Sequence, residues 1–186
     1  MVSRFFSLKG GLSAAASLAL IASVASAHAA SRDQVFFENA AGAWKGPGEI
    51  VAGKYKGTKF TCNLVGAPNR AAEAGITLDG TCRVGVFKQP MNAVITQAGS
   101  SYTGKFLDGA DGKGLDIVSG AVNGDKIVVG INRAKLNGAM IARMQDNNAM
   151  NITISVKVED QMVPVIGLAL TRESATDPMA VGAIKP

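Results

Sequence analysis

Histidine is almost absent from this sequence. The 186 residues include a single one, His28. Acyl transfer by a serine or cysteine nucleophile needs a neighbouring base, and the chain also lacks a Gly-x-Ser-x-Gly turn. We therefore expect no catalytic residues, no metal site and no cofactor, and we predict a protein that is not an enzyme. A glycosidase-type carboxylate pair stays open as an alternative, because it needs only two acids that the fold brings together.

Concentrated positive charge is also missing. The chain has 19 basic and 14 acidic residues, and two of the basic ones, Arg4 and Lys9, lie in residues 1–27, which contain no acid. The others are scattered without a run of Lys or Arg, whereas nucleic-acid binding needs a basic patch or stripe. We therefore expect no nucleic-acid partner.

Two motifs are present only in part. Residues 99–105 match a phosphate-binding loop until Phe106 replaces the required Ser or Thr, and the alternating pattern there predicts a hairpin. Asp108, Asp111 and Asp116 lie in a glycine-rich stretch, but their spacing does not match the ligand positions of an EF-hand. A solvated turn is the simpler interpretation of that stretch.

Residues 1–27 have the pattern of a cleaved export signal. Arg4 and Lys9 precede an uncharged run rich in Ala, Leu, Ile and Val, which ends at Ala25-Ser26-Ala27. A retained transmembrane helix is the rival interpretation, but Ala and Ser dominate the run and make its transfer into lipid weak. We predict a periplasmic or secreted protein that is not an integral membrane protein.

The rest of the chain has the composition of short strands joined by tight turns. Glycine is frequent, with 22 residues, and Asn123-Gly124 suits a type I′ hairpin turn. About nine strands are expected, the fourth beginning at Met91. We predict an all-β, antiparallel up-and-down meander that closes into a small barrel of about 8–10 strands. A membrane-spanning barrel is the rival, and it needs two aromatic girdles, whereas aromatic residues make up 5% of the chain.

This pattern divides the mature chain into three parts. Residues 28–41 form an N-terminal arm, for which a short helix or an extended segment would fit, residues 42–172 form the barrel, and residues 173–186 form a loose tail.

Cys62 and Cys82 are the only cysteines. In an oxidising compartment an isolated pair most often forms a disulfide, and the two cysteines fall in consecutive expected strands. A metal site would need further ligands. We predict a Cys62–Cys82 disulfide across a hairpin.

Gly42-Ala43-Trp44 begins the expected barrel, and Arg172 ends its last strand. This arrangement resembles the calycins, the lipocalin and avidin group, although the further lipocalin signature Thr-Asp-Tyr is absent. The resemblance implies a calycin-like barrel in which Arg172 packs on the Trp44 indole at one barrel end, a contact with a cation–π basis.

The first half of the chain also resembles the small periplasmic inhibitors of secreted metalloproteases. The resemblance rests on residues 41–44 together with Cys62 and Cys82. It implies that residues 31–41 would act as an inhibitory arm.

We predict an exported, non-enzymatic β-barrel that binds a small apolar ligand or an envelope protein. The alternative is an enzyme inhibitor or a structural component of the cell envelope. A hollow barrel interior would favour ligand carriage, whereas a filled one would favour a role carried by the surface.

Overall fold

The computed structural model describes residues 31–107 and 114–173. The predicted export signal, His28, Asp108, Asp111 and nearly all of the predicted tail lie outside these residues.

Ten antiparallel strands follow one short helix and form one closed barrel, in which each strand pairs with its neighbours in sequence and β1 pairs with β10. The predicted meander barrel of 8–10 strands is therefore confirmed. The elements are α1 (Arg32–Ala40), β1 (Gly42–Ile50), β2 (Lys59–Pro68), β3 (Gly75–Val84), β4 (Phe87–Ala98), β5 (Ser101–Leu107), β6 (Leu115–Asn123), β7 (Lys126–Arg133), β8 (Leu136–Met144), β9 (Ala149–Val158) and β10 (Gln161–Arg172).

The side chains of each strand alternate between the barrel interior and the outer surface. In β2, Phe60, Cys62 and Leu64 face inward, as the alternation in the sequence predicts. Most of the buried hydrophobic side chains lie towards one end of the barrel, where β3, β7 and β9 begin and β4, β8 and β10 end. The hydrophobic core therefore fills one end of the barrel and not its whole length.

Helix α1 covers the end at which this core lies. The Ser31 hydroxyl accepts a hydrogen bond from the Gln34 N–H at 3.1 Å and caps the first turn. The buried residues of the helix are Phe36, Phe37 and Ala40. We call this end of the barrel the closed end.

The disulfide joins Cys62 to Cys82 across β2 and β3. The two residues stand directly opposite each other in the strand register, and Cys62 is fully buried. The bond therefore connects two strands that are already hydrogen-bonded, and it lies on the inner face of the barrel.

The disulfide should stabilise the barrel by limiting the freedom of the unfolded chain. For a loop of this length the entropy model gives about 3 kcal/mol. We expect Cys62→Ala/Cys82→Ala to lower the free energy of unfolding by about that amount, measured by urea denaturation. The unreduced, denatured wild-type protein should show no free thiol on titration; two free thiols would contradict the assignment.

Candidate functional site

The barrel encloses a cavity of about 590 Å³. All ten strands contribute to its wall, and nearly all of the lining side chains are apolar. The lining includes Leu64, Leu78, Met91, Ile95, Phe106, Ile117, Ile131, Met140, Met150, Ile154, Ile166 and Leu168. The volume lies within the range of about 300–1,000 Å³ that small-molecule pockets occupy.

Trp44 forms part of the floor of the cavity at the closed end. Its side chain has 0% of its surface exposed, and its indole N–H donates a hydrogen bond to the Ala40 carbonyl at 2.9 Å. This bond satisfies the only polar group of the indole and ties the barrel wall to the last residue of α1. Trp44 therefore joins the helix to the barrel.

Arg172 packs on the ring of Trp44. Its guanidinium carbon is 4.2 Å from the centroid of the Trp44 ring, and the two residues are opposite each other in the β1–β10 register. Its nitrogens donate hydrogen bonds to the carbonyls of Asn147 at 2.7 Å, of Asn39 at 2.6 Å and of Ala41. Arg172 thus connects the end of α1, the first and last strands and the β8–β9 turn.

Gly42 makes room for this arginine. Its φ is 123°, a conformation that residues with a side chain rarely adopt, and a Cβ atom there would overlap Nη1 of Arg172. The sequence pattern Gly-x-Trp contains this glycine, but its steric role becomes visible only when Arg172 is placed beside it.

Tyr102 anchors the first turn of α1 to β5. Its hydroxyl donates a 2.6 Å hydrogen bond to Asp33, and its ring centroid lies 5.5 Å from that of Phe37. Burial raises the pKa of Tyr102 well above its usual range because it desolvates the phenolate, and the hydrogen bond to Asp33 and the charge of Asp33 raise it further. The neutral phenol is therefore the form that the folded protein holds.

The opposite end of the barrel is open, and we call it the mouth. The connections β1–β2, β3–β4, β5–β6, β7–β8 and β9–β10 lie there, and the β5–β6 connection includes residues outside the described ranges. The cavity lining reaches exposed side chains at this end, among them Val84, Phe87 and Leu136. The described structure therefore offers a ligand access at the mouth.

The polar residues of the described lining are Lys88, Gln89, Asn92 and Arg133, and they lie towards the mouth. The Arg133 Nε donates to the Gly114 carbonyl at 3.3 Å. An apolar molecule with a polar end would thus place its apolar part near the floor and its polar end towards the mouth.

The structure places Asp116 and the acidic pair Glu159-Asp160 on different elements. Asp116 lies on β6 and forms an ion pair with Lys105 at 3.6 Å. Glu159 and Asp160 form the β9–β10 turn, where Asp160 pairs with Lys157 at 3.5 Å. Residues 101–107 of the partial phosphate-loop motif form β5.

Residues 31–107 and 114–173 contain no group of three or more His, Cys, Asp or Glu side chains placed to hold a metal ion. In the same ranges, no helix has the length and apolar character needed to cross a membrane.

No protein-family model and no curated protein matches the sequence. Among solved structures, the fold is similar to that of Rv2717c from M. tuberculosis, with 13% identity, a TM-score of 0.58, and coverage of 77% of this chain and 99% of that one. A protein of unknown function of the DUF3598 family from Nostoc punctiforme PCC 73102 is also similar, with 10% identity, a TM-score of 0.48, and coverage of 73% of this chain and 48% of that one. The likeness to Rv2717c shows a shared fold. A shared fold does not by itself determine function.

The contact between Trp44 and Arg172 can be tested by a double-mutant cycle. Trp44→Ala should lower the free energy of unfolding by about 3–5 kcal/mol, because it leaves a cavity at the closed end. Arg172→Ala should cost more than the about 0.5–2 kcal/mol of a cation–π contact, because three carbonyls lose their donor. The double variant should lose less than the two single losses together.

Arg143→Ala is the matched control for this cycle. Arg143 lies at the same end and forms an exposed ion pair with Asp125 at 3.0 Å. Its loss should cost less than about 1 kcal/mol. Strict additivity of the Trp44 and Arg172 losses would contradict the coupling.

Tyr102 should make stability depend on pH in alkaline solution. Because the folded-state pKa lies above the ordinary value of 10.0, the stabilisation is complete below about pH 10 and is lost as the pH rises further. Tyr102→Phe should therefore be less stable than wild type at pH 8, and the difference should shrink above pH 10. Denaturation at several pH values measures this, with the exposed Tyr55→Phe as control; a difference independent of pH would refute it.

Proposed function

We propose that this protein is an exported, non-enzymatic carrier that binds a small apolar ligand inside its barrel. The observation that supports the proposal best is the unfilled interior, about 590 Å³ with an almost wholly apolar wall. Water in such a space finds few hydrogen-bond partners and is easily displaced. An apolar ligand that enters the cavity leaves bulk water, and this transfer lowers its free energy.

The shape of the cavity also supports the binding of a discrete molecule. Trp44, Phe36 and Phe37 close the floor, so a ligand can enter at the mouth and cannot pass through the closed end. A single deep pocket with polar groups near its opening suits an elongated apolar compound with one polar end. The calycin resemblance of Gly42-Ala43-Trp44 and Arg172 agrees with such a carrier.

A carrier role without catalysis fits the chemistry of the cavity wall. Acid–base catalysis needs titratable groups placed beside the reacting atoms. The described floor and middle of the cavity offer carbon and the thioether sulfurs of Met140 and Met150, whereas Lys88 and Arg133 lie towards the mouth.

The inhibitor alternative receives less support from the position of residues 32–40. These residues form α1, and Phe36 and Phe37 are buried against the barrel. An arm that inserts into the active site of another protein would have to leave this packing and expose both rings. The proposal of a ligand carrier needs no such rearrangement.

The proposal can be tested by filling the cavity. The protein is isolated from the exported fraction with its N-terminus defined by intact mass, and it is titrated with N-phenyl-1-naphthylamine, a probe that fluoresces in apolar surroundings. Met140→Trp places a larger side chain in the cavity. It should weaken probe binding by more than about tenfold, because the introduced indole and the bound probe would occupy the same apolar volume.

Ile141→Trp is the matched control, because Ile141 is the next residue of β8 and lies on its exposed outer face. Its probe affinity should stay within about twofold of wild type, the spread allowed for surface substitutions. Circular dichroism checks that both variants are folded. Failure of the wild-type protein to bind the probe, or an equal loss in both variants, would overturn the proposal. In a separate experiment, extraction of the purified wild-type protein into organic solvent, followed by mass spectrometry, would identify any ligand retained from the cell.

A further inference from the structure

The exposed apolar side chains of the protein gather at the mouth. Fourteen large hydrophobic residues are exposed in the described part of the chain, and nine of them lie at this end. The nine are Val51, Tyr55, Val84, Val86, Phe87, Leu107, Leu136, Val158 and Met162. Only Val35 of the fourteen lies at the closed end. Clustered exposed hydrophobic residues mark an interaction surface, whereas scattered ones do not.

The most exposed of these residues form the tip of the β3–β4 hairpin. Val86 is 89% exposed and Phe87 is 77% exposed. The turn is made possible by Gly85, whose φ is 57°. Arg83 and Lys88 are paired in the strand register one step behind the tip. The hairpin therefore presents an apolar tip with two cations behind it.

The neighbouring β1–β2 connection repeats this combination. Tyr55 is 61% exposed and stands between Lys54 and Lys56, with the Lys54 ammonium 5.4 Å from the centroid of the Tyr55 ring. Strands β1 to β4 are consecutive around the barrel, so the two connections lie side by side on the mouth. Together they form one basic and aromatic surface.

Charge also differs between the two ends. In the described connections at the mouth and the two strand residues on either side of them, eight side chains are basic and four are acidic. The corresponding residues of the closed end, with α1, have five basic and six acidic side chains. Among the described residues, Lys56, Lys59, Lys88 and Lys135 make no ion pair. The described part of the mouth therefore has an excess of positive charge, which the described part of the closed end lacks.

We propose that the mouth docks on an anionic lipid bilayer. The Val86–Phe87 tip enters the headgroup region, and the surrounding lysines lie against lipid phosphates. Apolar and aromatic side chains interleaved with cations are the combination that holds a protein at such an interface. The inference extends the proposed function, because a ligand drawn from the bilayer would enter the cavity at the docked end, but docking itself requires no ligand.

A bilayer explains the distribution of these residues over the whole end of the barrel. Tyr55, Val86, Leu136 and Met162 lie in or next to four different connections around the opening. A planar, anionic and laterally fluid surface can contact all of them at once, and it matches the excess of positive charge. A protein partner is the competing occupant, and the vesicle experiment separates the two.

The electrostatic part is tested by sedimentation with vesicles, using the protein as isolated from expressing cells. Wild type should bind mixed phosphatidylcholine/phosphatidylglycerol vesicles, bind pure phosphatidylcholine vesicles much more weakly, and dissociate as salt is added. Lys56→Gln/Lys135→Gln should weaken the partition into anionic vesicles about 25-fold, at about fivefold for each lysine near the surface. Lys45→Gln/Lys126→Gln, with the same charge change at the closed end, should stay within about twofold.

The apolar part is tested with a second pair of variants. Val86→Ser/Phe87→Ser should weaken vesicle binding, whereas Val65→Ser/Val118→Ser, at exposed positions on the barrel wall, should not. Phe87→Trp should shift its fluorescence to the blue with anionic vesicles and not with pure phosphatidylcholine. Trp44 is buried at the far end, so its emission serves in the other variants as a check of folding.

Two results would overturn the inference: no binding of wild type to anionic vesicles, or equal binding by the mouth variants and their controls. Probe titration without vesicles separates this outcome from failure of the proposed function. Lys56→Gln/Lys135→Gln, at two exposed lysines outside the cavity lining, should bind N-phenyl-1-naphthylamine like wild type, and Met140→Trp should lose the probe and still bind vesicles. Vesicle binding by a wild-type protein that does not bind the probe would contradict the carrier proposal and support the docking proposal.

Discussion

The pairing of the first strand with the last is the interaction on which the rest of the structure depends. It closes the sheet, and with ten strands it sets a diameter wider than that of the small eight-stranded barrels whose side chains just fill the interior. The same pairing places Trp44 opposite Arg172. One register therefore fixes both the width of the cavity and the cation–π contact at its floor.

The closed end shows how the protein stabilises a barrel that is hollow over much of its length. The core side chains and the buried rings of α1 gather there, and the hydrogen bonds of Trp44, Tyr102 and Arg172 hold the helix in place. Packing at this end compensates for the absence of a core along the part of the barrel that the cavity occupies. Removal of these contacts would therefore affect the floor of the cavity as well as the fold.

The fold followed from the sequence, because period-two alternation, tight-turn residues and scarce helix signals are all local features. The cysteines could be singled out from composition, and Trp44 and Arg172 through the calycin resemblance. The roles of Asp33, Gly42 and Tyr102 could not be predicted, because they depend on contacts between distant residues. The prediction for β4 began at Met91, whereas the strand begins at Phe87 and continues through Pro90, which has no N–H to donate. The apolar hairpin tip at Val86 and Phe87 was hidden for that reason.

The cavity itself could not be deduced from the sequence, because the same alternating pattern describes a filled barrel and a hollow one. The number of strands decides whether a barrel is filled or hollow, and that number depends on which two strands pair to close the sheet. The proposed carrier and docking roles would give the hollow interior and the exposed apolar residues of the mouth one physical explanation. A molecule that fits an apolar cavity is sparingly soluble in water, so its transfer is fastest when the opening of the cavity contacts the phase in which the molecule is dissolved. A barrel with a firmly sealed floor and an apolar, cationic mouth has the polarity that such a transfer requires.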